Sequence, residues 1–396
     1  MSKAKLTGKG RRWLESGHPW IYRDDLAQLP AEDGGICELE GPRGESLGFA
    51  AYSAASRIAL RLITRRKEAP DAAFWRARVQ AAVERRARLG LSDPAGAARL
   101  IAGDADGVPG LVVDRYADAL VVQSGTLFAD RMRDSILESV RAVLEQPIRC
   151  VVERSDASVR RLESLEERKS VLEGELPSEL LVREDQLVFE VDLLGGHKTG
   201  HYLDQRENRR RASAHARGRR CLDVFCYDGL FGIRMALQGA AEVLCIDQSQ
   251  AALERVQRNA ARNGVAERVR VHKADALHDL RARVEAGERY GLVVVDPPAF
   301  AKNRAQVEGA RRGYTELHRR GIELTEPGGH FVSASCSYNV RAHEFVELVR
   351  DGAALARREA WLLALEGAAP DHPHLLTLPE THYLKCAFVA VGARTD

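Results

Sequence analysis

The chain has 396 residues, 45% of them apolar and 29% charged, with a formal net charge of +2. That length allows two or three domains, and the near-neutral charge excludes a uniformly basic surface. The seven cysteines include no CxxC pair, which argues against a disulfide framework or a zinc site. No apolar run approaches the ~20 residues of a membrane helix, and no signal-peptide core is present, so we expect a reduced, cytoplasmic protein.

Three clusters of basic residues stand out against this balance. Each is either a solvated helix face or a contact surface for phosphates, and the sequence leaves both interpretations open. The clusters comprise Lys3, Lys5, Lys9, Arg11, Arg12 and Arg23; Arg206, Arg209, Arg210, Arg211, Arg217, Arg219 and Arg220; and Arg311, Arg312, Arg319 and Arg320.

Residues 1–70 are predicted to form a small β-barrel, because short apolar runs at 36–39, 46–52 and 58–63 alternate with turns. A helical pattern follows Asp71 and ends at Gly90, which places a domain junction near residue 70. Residues 71–190 are predicted to form a middle α/β domain. It would contain a hairpin of residues 111–114 and 119–123, a helix over 129–145, and strands over 150–153 and 187–193. This middle part carries no catalytic motif, and we interpret it as a spacer or binding platform.

Residues 191–396 alternate regularly between strand and helix patterns. Strands are predicted at residues 221–225, 243–246, 269–272, 292–295 and 330–334, and residues 361–365 and 383–391 form a closing antiparallel pair. The pattern predicts an α/β fold with a doubly wound parallel sheet, whose ligand site lies at the carboxyl ends of the strands.

The loop after the first of these strands is bulky. Its alternate positions hold Phe225, Tyr227 and Gly229, where a dinucleotide-binding loop requires glycines for close approach to a pyrophosphate. This argues against a nicotinamide cofactor. The loop suits a ligand without phosphates that side chains contact, and S-adenosylmethionine is such a ligand.

Two acids follow the next strands. Asp247 can accept both ribose hydroxyls of a nucleoside cofactor, and Asp275 can accept from an adenine amino group. The alternative for both carboxylates is capping at the strand end, which the sequence leaves open.

Two short motifs suggest covalent chemistry on a nucleobase. Asp296 begins the motif Asp-Pro-Pro-Ala-Phe, which can hold a planar base, and Cys336 lies in the motif Ser-Cys-Ser. Each motif directly follows an apolar strand pattern, so the thiol is a candidate nucleophile beside the base. The alternative for Cys336 is an inert buried thiol.

These motifs, in this order, resemble the bacterial 23S rRNA cytosine-5 methyltransferases that carry an N-terminal PUA domain and a C-terminal class I S-adenosylmethionine-dependent methyltransferase domain. Six further strings carry the resemblance. They are Gly-His-Pro-Trp-Ile-Tyr at 17–22, Ala-Tyr-Ser-Ala-Ala-Ser at 51–56, Leu-Ile-Ala-Gly-Asp at 100–104, Asp-Gly-Val-Pro-Gly at 106–110, Gly-His-Lys-Thr-Gly-His-Tyr-Leu-Asp-Gln-Arg at 196–206, and Gly-Tyr at 313–314.

The resemblance implies a PUA-like RNA-binding barrel over residues 1–70, a middle domain over 71–190 that shapes the RNA groove, and a methyltransferase domain over 191–396. It implies Cys336 as the nucleophile and Asp296 as a contact to the cytosine edge. The partner would be 23S ribosomal RNA with a single-stranded or flipped base, and the protein would be a monomer or homodimer without a membrane or metal. The implied cofactor contacts are Phe225, Tyr227, Gly229, Asp247, Asp275 and Asp296.

Three residues depart from the family pattern and leave details of the site open. Asp228 and Leu230 stand in the cofactor loop, where relatives have threonine and glycine, and Ala299 stands where relatives often have lysine. A carboxylate at Asp228 would pair with the sulfonium or amino group of the cofactor, or face solvent. Two other functions remain as alternatives: methylation of a guanine or adenine nitrogen, which needs no thiol, and RNA binding without catalysis.

Overall fold

The structure is a computed structural model that describes residues 2–300 and 306–395. The chain divides into two compact units. The first consists of Met1–Arg183, Val191–Leu203 and Pro370–Thr381, and the second of Glu184–Glu190, Asp204–Ala369 and His382–Asp396. Within the described ranges, no helix combines the length and apolarity needed to cross a membrane.

The first unit begins with a six-stranded sheet in the order β2-β6-β5-β4-β1-β3, in which β1 and β4 pair in parallel and the other neighbours pair antiparallel. Apolar side chains such as Leu39, Ala50 and Leu60 alternate inward and form its core. The three predicted barrel strands are therefore present. The elements are β1 (Lys3–Leu6), α1 (Gly8–Glu15), β2 (Trp20–Tyr22), β3 (Leu26–Gln28), β4 (Ile36–Glu40), β5 (Ser46–Tyr52) and β6 (Ile58–Thr64).

A five-stranded sheet follows in the order β11-β10-β9-β8-β7, and only β9 and β10 pair in parallel among its described strands. The carboxylate of Asp71 caps α2 by accepting from the backbone N–H of Phe74 at 2.7 Å. The elements are α2 (Ala72–Arg88), β7 (Ala97–Ala102), β8 (Leu111–Tyr116), β9 (Ala119–Ser124), α3 (Leu127–Val143), β10 (Cys150–Ser155), α4 (Val159–Leu162) and β11 (Arg168–Gly174).

Ala51 and Ile63 of the six-stranded sheet lie in the same buried core as Trp75 and Val79 of α2. The predicted domain limits at residues 70 and 190 therefore remain predictions, since the first unit has a continuous core across residue 70. Two short strands follow, β12 (Leu181–Glu184) and β13 (Leu187–Glu190). The strand predicted over residues 187–193 is thus shorter than expected.

The second unit contains a seven-stranded sheet in the order β16-β15-β14-β17-β18-β20-β19, parallel except for β20, which pairs antiparallel with both neighbours. This is the predicted doubly wound sheet with its closing antiparallel pair. The elements are α5 (Arg206–Ser213), β14 (Arg220–Val224), α6 (Leu230–Leu237), β15 (Glu242–Asp247), α7 (Gln250–Arg262), β16 (Val269–Lys273), α8 (Ala276–Glu285), β17 (Tyr290–Val295), α9 (Val307–Leu324), β18 (Thr325–Ser335), α10 (Ala342–Ala356), β19 (Arg358–Glu366) and β20 (Lys385–Arg394).

The core of this sheet packs against α9 and α10. Leu222, Val293 and Phe331 of the central strands are fully buried, as are Tyr314 and Phe345 of the two helices. The rigid packing of these large side chains holds the carboxyl ends of the central strands in place.

Short 3-10 helices connect several elements of the described chain. They are Arg23–Asp25, Gly103–Asp106, Leu203–Gln205, Ala266–Arg268 and Pro379–Thr381.

Candidate active site

The predicted site residues of the second unit meet at the carboxyl edge of its sheet. Val224 at the end of β14 pairs with Ile246 of β15 and with Val295 of β17, and Val295 pairs in turn with Ser333 of β18. The residues that directly follow Val224, Ile246 and Val295 therefore lie at one edge of the sheet. They are Phe225, Asp247 and Asp296. The parallel register brings together the cofactor loop after β14, Asp247, Asp296 and the Ser335–Ser337 segment.

The loop after β14 has an unusual backbone. Phe225, Tyr227 and Gly229 have φ angles of 61°, 51° and 78°, all in the left-handed region. Non-glycine residues rarely adopt this region, and each costs of order 1–3 kcal/mol unless the surroundings impose it. Gly229 also has no room for a side chain, because a Cβ there would lie 2.8 Å from Val256. The alternate positions of the loop therefore share one conformation, although only one of them is glycine.

Asp247 ties this loop to β15. Its Oδ2 accepts a hydrogen bond from the backbone N–H of Tyr227 at 3.0 Å, and its Oδ1 accepts from that of Ser249 at 2.9 Å. A carboxylate has about four acceptor positions, so the half-buried Asp247 keeps capacity for hydroxyl donors.

Asp275 is exposed and caps α8 by accepting from the backbone N–H of His278 at 3.0 Å. The capping that the sequence left open as an alternative is therefore present at this position. Its contact to an adenine remains a proposal.

A buried acid that sequence reasoning missed supports the same loop. Asp223, 1% exposed, accepts a 2.8 Å hydrogen bond from the backbone N–H of Gly232. Burial raises the pKa of Asp223 to about 7, and the charges of Asp296, Asp247 and Asp228 raise it further against the opposing effect of the Gly232 hydrogen bond. Three further carboxylates thus act on Asp223 around this strand end, which makes the region favourable for a cation. The signal in the sequence was an acid inside an apolar strand.

Asp228 is 4% exposed, so the solvent-facing alternative for this residue is wrong. Its backbone carbonyl accepts from the side chain of Asn259 at 3.5 Å, which helps fold the residue under α7. Leu230 is also buried and begins α6. The two departures from the family pattern in this loop are therefore packed into the structure.

Asp296 is half-buried and is oriented by a chain of amides. Its backbone N–H donates to the carbonyl of Val224 at 3.3 Å, and its Oδ2 accepts from the amide Nε2 of Gln205 at 2.9 Å. The Oε1 of Gln205 accepts in turn from Asn208 at 2.6 Å, which leaves the Gln205 nitrogen facing Asp296. Gln205 belongs to the string at residues 196–206, but no role was predicted for it.

Cys336 differs from the other cysteines in its exposure. It is partly exposed, whereas all six others are buried, so the inert buried thiol expected as its alternative is not what the structure shows. The hydroxyls of Ser335 and Ser337 lie 2.8 Å and 3.0 Å from the phenol oxygen of Tyr314, which is fully buried on α9. Tyr314 therefore fixes the residues on both sides of the thiol.

A lysine that was not predicted also contacts this turn. Lys385 begins β20, is 2% exposed, and donates from Nζ to the carbonyl of Ser337 at 2.7 Å and to that of Tyr383 at 2.9 Å. Burial lowers the pKa of Lys385 to about 8, partly opposed by the charges of Cys336 and Glu344. In the sequence, the feature that could have indicated Lys385 is a single lysine at the start of an apolar strand.

Phe300, the last residue of the Asp-Pro-Pro-Ala-Phe motif, packs against Tyr314, with ring centroids 4.9 Å apart at 50°. Its ring therefore extends the support of the Ser335–Ser337 turn. Ala299 beside it is half-buried and contributes no polar group.

Part of the middle basic cluster is buried and does not form an open phosphate surface. Arg206 and Arg209 are buried, and Arg209 forms an ion pair with the buried carboxylate of Glu184, which also binds Arg234 at 3.1 Å. Arg210 pairs with Asp185 at 2.9 Å. These arginines hold the second unit together, because a buried guanidinium requires a carboxylate partner.

Residues 115–364, more than half of the chain, match the family of S-adenosylmethionine-dependent methyltransferases. The chain belongs to this methyltransferase family. Residues 4–65 match the PUA-like domain family, so the predicted fold is confirmed. The predicted cofactor, S-adenosylmethionine, is confirmed by the family match.

Curated relatives of this methyltransferase extend along nearly its whole length. A protein of Shewanella denitrificans named ribosomal RNA large subunit methyltransferase I is 36% identical over 389 residues, covering 97% of this chain and 98% of its own. A protein of the same name from Aeromonas hydrophila is 38% identical over 392 residues, with the same coverage of 97% and 98%.

Solved structures share the fold of this methyltransferase. SMU.776, described as a methyltransferase and solved in complex with SAH, has a TM-score of 0.85 at 22% identity and covers 98% of this chain and 100% of its own. A protein from Streptococcus mutans, described as SAM-dependent, has a TM-score of 0.83 at 21% identity with the same coverage of 98% and 100%.

The residues at the carboxyl edge of the sheet fit this cofactor. Its sulfonium is a cation, and the charges of Asp296, Asp247 and Asp228 around the end of β14 add to burial in raising the pKa of Asp223. The cofactor loop has no glycine-lined phosphate cradle, and this methyl donor has no phosphate to place there.

Proposed function

We propose that this methyltransferase acts on carbon 5 of a cytosine in large-subunit (23S) ribosomal RNA through a covalent adduct with Cys336. The observation that carries the proposal is the partial exposure of this thiol, while the six other cysteines are buried. Cys336 follows β18, the strand that pairs with the one leading to Asp296. The relatives named ribosomal RNA large subunit methyltransferase I support the class of RNA.

A thiol is needed because carbon 5 of cytosine is a poor nucleophile, unlike an exocyclic amine. Addition of the Cys336 thiolate to carbon 6 forms a carbon–sulfur bond and moves the electron pair to carbon 5. S-adenosylmethionine supplies an electrophilic methyl group, which carbon 5 accepts. Removal of the carbon 5 proton by a base then restores the ring double bond and breaks the bond to Cys336.

Asp296 would contact the polar edge of the cytosine. Protonation near ring nitrogen 3 assists the addition at carbon 6, and the Gln205 amide holds the carboxylate in position for this contact. Pro297 and Pro298 keep the backbone extended after Asp296, because a proline disfavours helix in the residue before it. Ala299 offers no second thiol in this neighbourhood, so Cys336 would serve both addition and release.

The cofactor would lie against the loop of Phe225, Tyr227 and Gly229, with its ribose hydroxyls on Asp247 and its adenine amino group near Asp275. Two acceptor positions of Asp247 are used by backbone N–H groups, and the remaining capacity suits two hydroxyl donors. Asp275 keeps acceptor capacity beyond its single cap to His278.

The PUA-like barrel would hold the RNA around the target. It has a cavity of about 470 Å³ lined by Lys9, Arg12, Trp13, Tyr22 and Asp25. Trp13 is 38% exposed, so its ring is accessible to a nucleobase, while the two cations suit neighbouring phosphates. The target cytosine must be single-stranded or flipped out, at a cost of about a few kcal/mol, because a stacked base cannot reach a pocket.

Trapping with RNA that contains 5-fluorocytidine tests the chemistry. Fluorine cannot leave carbon 5 as a proton does, so the adduct with Cys336 should accumulate and survive denaturing electrophoresis. Cys336→Ser should abolish the adduct, and Cys37→Ser, a conservative change at a buried barrel thiol, should leave it intact. Methyl transfer at the normal rate by Cys336→Ser would refute carbon 5 chemistry and favour a nitrogen target.

Mapping of 5-methylcytosine in 23S rRNA tests the substrate. A strain without this protein should lose the modification at one cytosine, and a plasmid copy of the wild type should restore it. An unchanged rRNA profile would refute ribosomal RNA as the substrate.

A further inference from the structure

A buried lysine, Lys385, lies next to the turn that carries the candidate thiol. Lys385 is the strand partner of Ser335 in the antiparallel pairing of β18 with β20. Its Nζ donates to the carbonyl of Ser337 at 2.7 Å. Lys385 therefore contacts both residues that flank Cys336, Ser335 through its backbone position and Ser337 through its side chain.

The buried amine is mainly protonated at neutral pH, although its surroundings lower its pKa. Both of its hydrogen-bond partners, the carbonyls of Ser337 and Tyr383, are acceptors without a proton to donate. Two of the three protons of the ammonium are donated to these carbonyls, and the pKa of about 8 keeps the group mainly charged at neutral pH. At 2% exposure, water screens that charge little.

We propose that Lys385 is a positioning residue that holds the Ser335–Ser337 turn and stabilises the Cys336 thiolate by its charge. The role of that thiolate in methyl transfer rests on the function proposed above. A neighbouring lysine is a recognised way to stabilise a thiolate. Neither hydrogen bond of Lys385 uses the sulfur, so its effect on the thiol is electrostatic.

The charges of Cys336 and Lys385 interact, and this interaction affects the pKa of Lys385. Burial lowers that pKa to about 8, and the negative charges of Cys336 and Glu344 partly restore it. Because the pKa lies near 8, Lys385 is charged below pH 8 and loses this charge above it. Its stabilisation of a thiolate is therefore available at neutral pH and fades in alkaline solution.

Two further ionisable side chains of the described residues, one on α10 and one on α9, interact with Lys385 or with Cys336. Glu344 on α10 acts on Lys385 and lies 3.6 Å from Arg311. Tyr314 on α9 interacts with the charges of Cys336 and Asp296, and burial raises its pKa, so it stays neutral at physiological pH. Lys385 thus brings a positive charge into direct contact with the backbone of this turn, whereas Arg311 is paired with Glu344.

Alkylation of Cys336 by iodoacetamide measures the thiolate without methyl transfer. The rate of modification of the Cys336 peptide, followed by mass spectrometry from pH 6 to pH 9, reports the thiolate fraction. Lys385→Met should lower the rate at pH 7 about tenfold and move the midpoint of the profile to higher pH, since one pKa unit is a factor of ten. Lys385→Arg should retain most of the wild-type rate.

Tyr314→Phe is the matched structural control. It removes the hydrogen bonds to Ser335 and Ser337 without changing a charge, so it should leave the midpoint of the profile in place. A Lys385→Met profile that superimposes on the wild type overturns the proposal. So does an equal shift in Tyr314→Phe, because the effect would then come from loosening the turn. Thermal unfolding of each variant checks that the fold is retained.

The alkylation test and the test of the proposed function have separate outcomes. If Cys336→Ser still methylates RNA, the adduct mechanism fails while the effect of Lys385 on the thiol can still be measured. If the adduct forms but Lys385→Met leaves the alkylation profile unchanged, only the assignment of Lys385 fails.

Discussion

The amide of Gln205 donates a 2.9 Å hydrogen bond to the carboxylate of Asp296, although 91 residues separate them in the sequence. Asn208 holds the opposite end of the same amide at 2.6 Å. Gln205, in the string at residues 196–206, therefore orients the carboxylate of Asp296 in the Asp-Pro-Pro motif.

Gln205→Glu replaces the donor facing Asp296 by a second carboxylate. Like charges at this distance disfavour ionisation of both groups, so the limb of the methyl-transfer pH profile that reports ionisation of Asp296 should move to higher pH. We expect a shift of about one pH unit, which is about a tenfold change in kcat/KM on that limb, or about 1.4 kcal/mol. The profile is measured from pH 5 to pH 9.

Gln205→Met is the control for this change, because it removes the hydrogen bond without adding charge. It should lower the rate at all pH values without moving the limb. An unshifted limb in Gln205→Glu would contradict the assigned contact between charge at position 205 and Asp296.

Asp223→Asn should change how stability depends on pH. The folded pKa of about 7 lies above the value of an unfolded aspartate, so the folded state binds the extra proton and wild-type stability falls as pH rises from about 4 to about 7. Asparagine keeps an acceptor for the N–H of Gly232 and removes this ionisation. The variant should therefore gain stability relative to wild type as pH rises, by ~3 kcal/mol between pH 5 and pH 8.

Urea unfolding at pH 5 and at pH 8 measures the difference. Equal stability differences at the two pH values would show that Asp223 is not a buried group with a raised pKa.

Tyr227→Gly should be more stable than Tyr227→Ala. Both lose the ring and its contact with the Arg255 guanidinium, which lies 5.1 Å from the ring centroid. Only glycine adopts the φ angle of 51° without strain, so the free energy of unfolding of Tyr227→Gly should exceed that of Tyr227→Ala by about 1 kcal/mol. Thermal unfolding compares the two variants, and the opposite order would mean that the loop relaxes when the ring is removed.

Asp228→Asn should weaken binding of S-adenosylmethionine more than binding of its product. The sulfonium of the cofactor is positive, whereas the thioether of S-adenosylhomocysteine is neutral, so loss of a buried carboxylate affects the first ligand selectively. We expect an about tenfold loss of affinity for the cofactor and a change below threefold for the product, or about 1.4 kcal/mol against less than about 0.7 kcal/mol.

Isothermal titration with each ligand gives both affinities. Asp279→Asn, at a carboxylate that pairs with Arg283 on α8, serves as a control with the same change of charge. Equal losses for the two ligands would assign Asp228 a structural role in the loop.

Much of the second unit was predictable because its strands are apolar and its motifs follow them. The predicted strand at residues 221–225 is β14, Arg220–Val224, and it ends one residue early because Phe225 already has the left-handed backbone of the loop. The strand predicted at 330–334 begins earlier, at Thr325, since Gly328 and Gly329 are accommodated within β18.

The role of arginines was less predictable. A run of arginines after Asp204 reads as a basic surface when only charge is counted. Two of these arginines, Arg206 and Arg209, are buried, and Arg209 forms an ion pair with Glu184 on β12, which also pairs with Arg234. Such pairing depends on partners far along the chain, and composition contains no information about them.

The sequence by itself determined the order of the apolar strands, the bulky loop at Phe225 and Tyr227, and the position of Cys336 after a strand. Each of these features depends on neighbours within a few residues. The partners of these groups were decided by the tertiary structure. Parallel register places Asp296 beside the loop after β14, and the antiparallel insertion of β20 places Lys385 opposite Ser335. Contacts between distant segments form only when the sheet assembles, and they determine which buried charges act on the site.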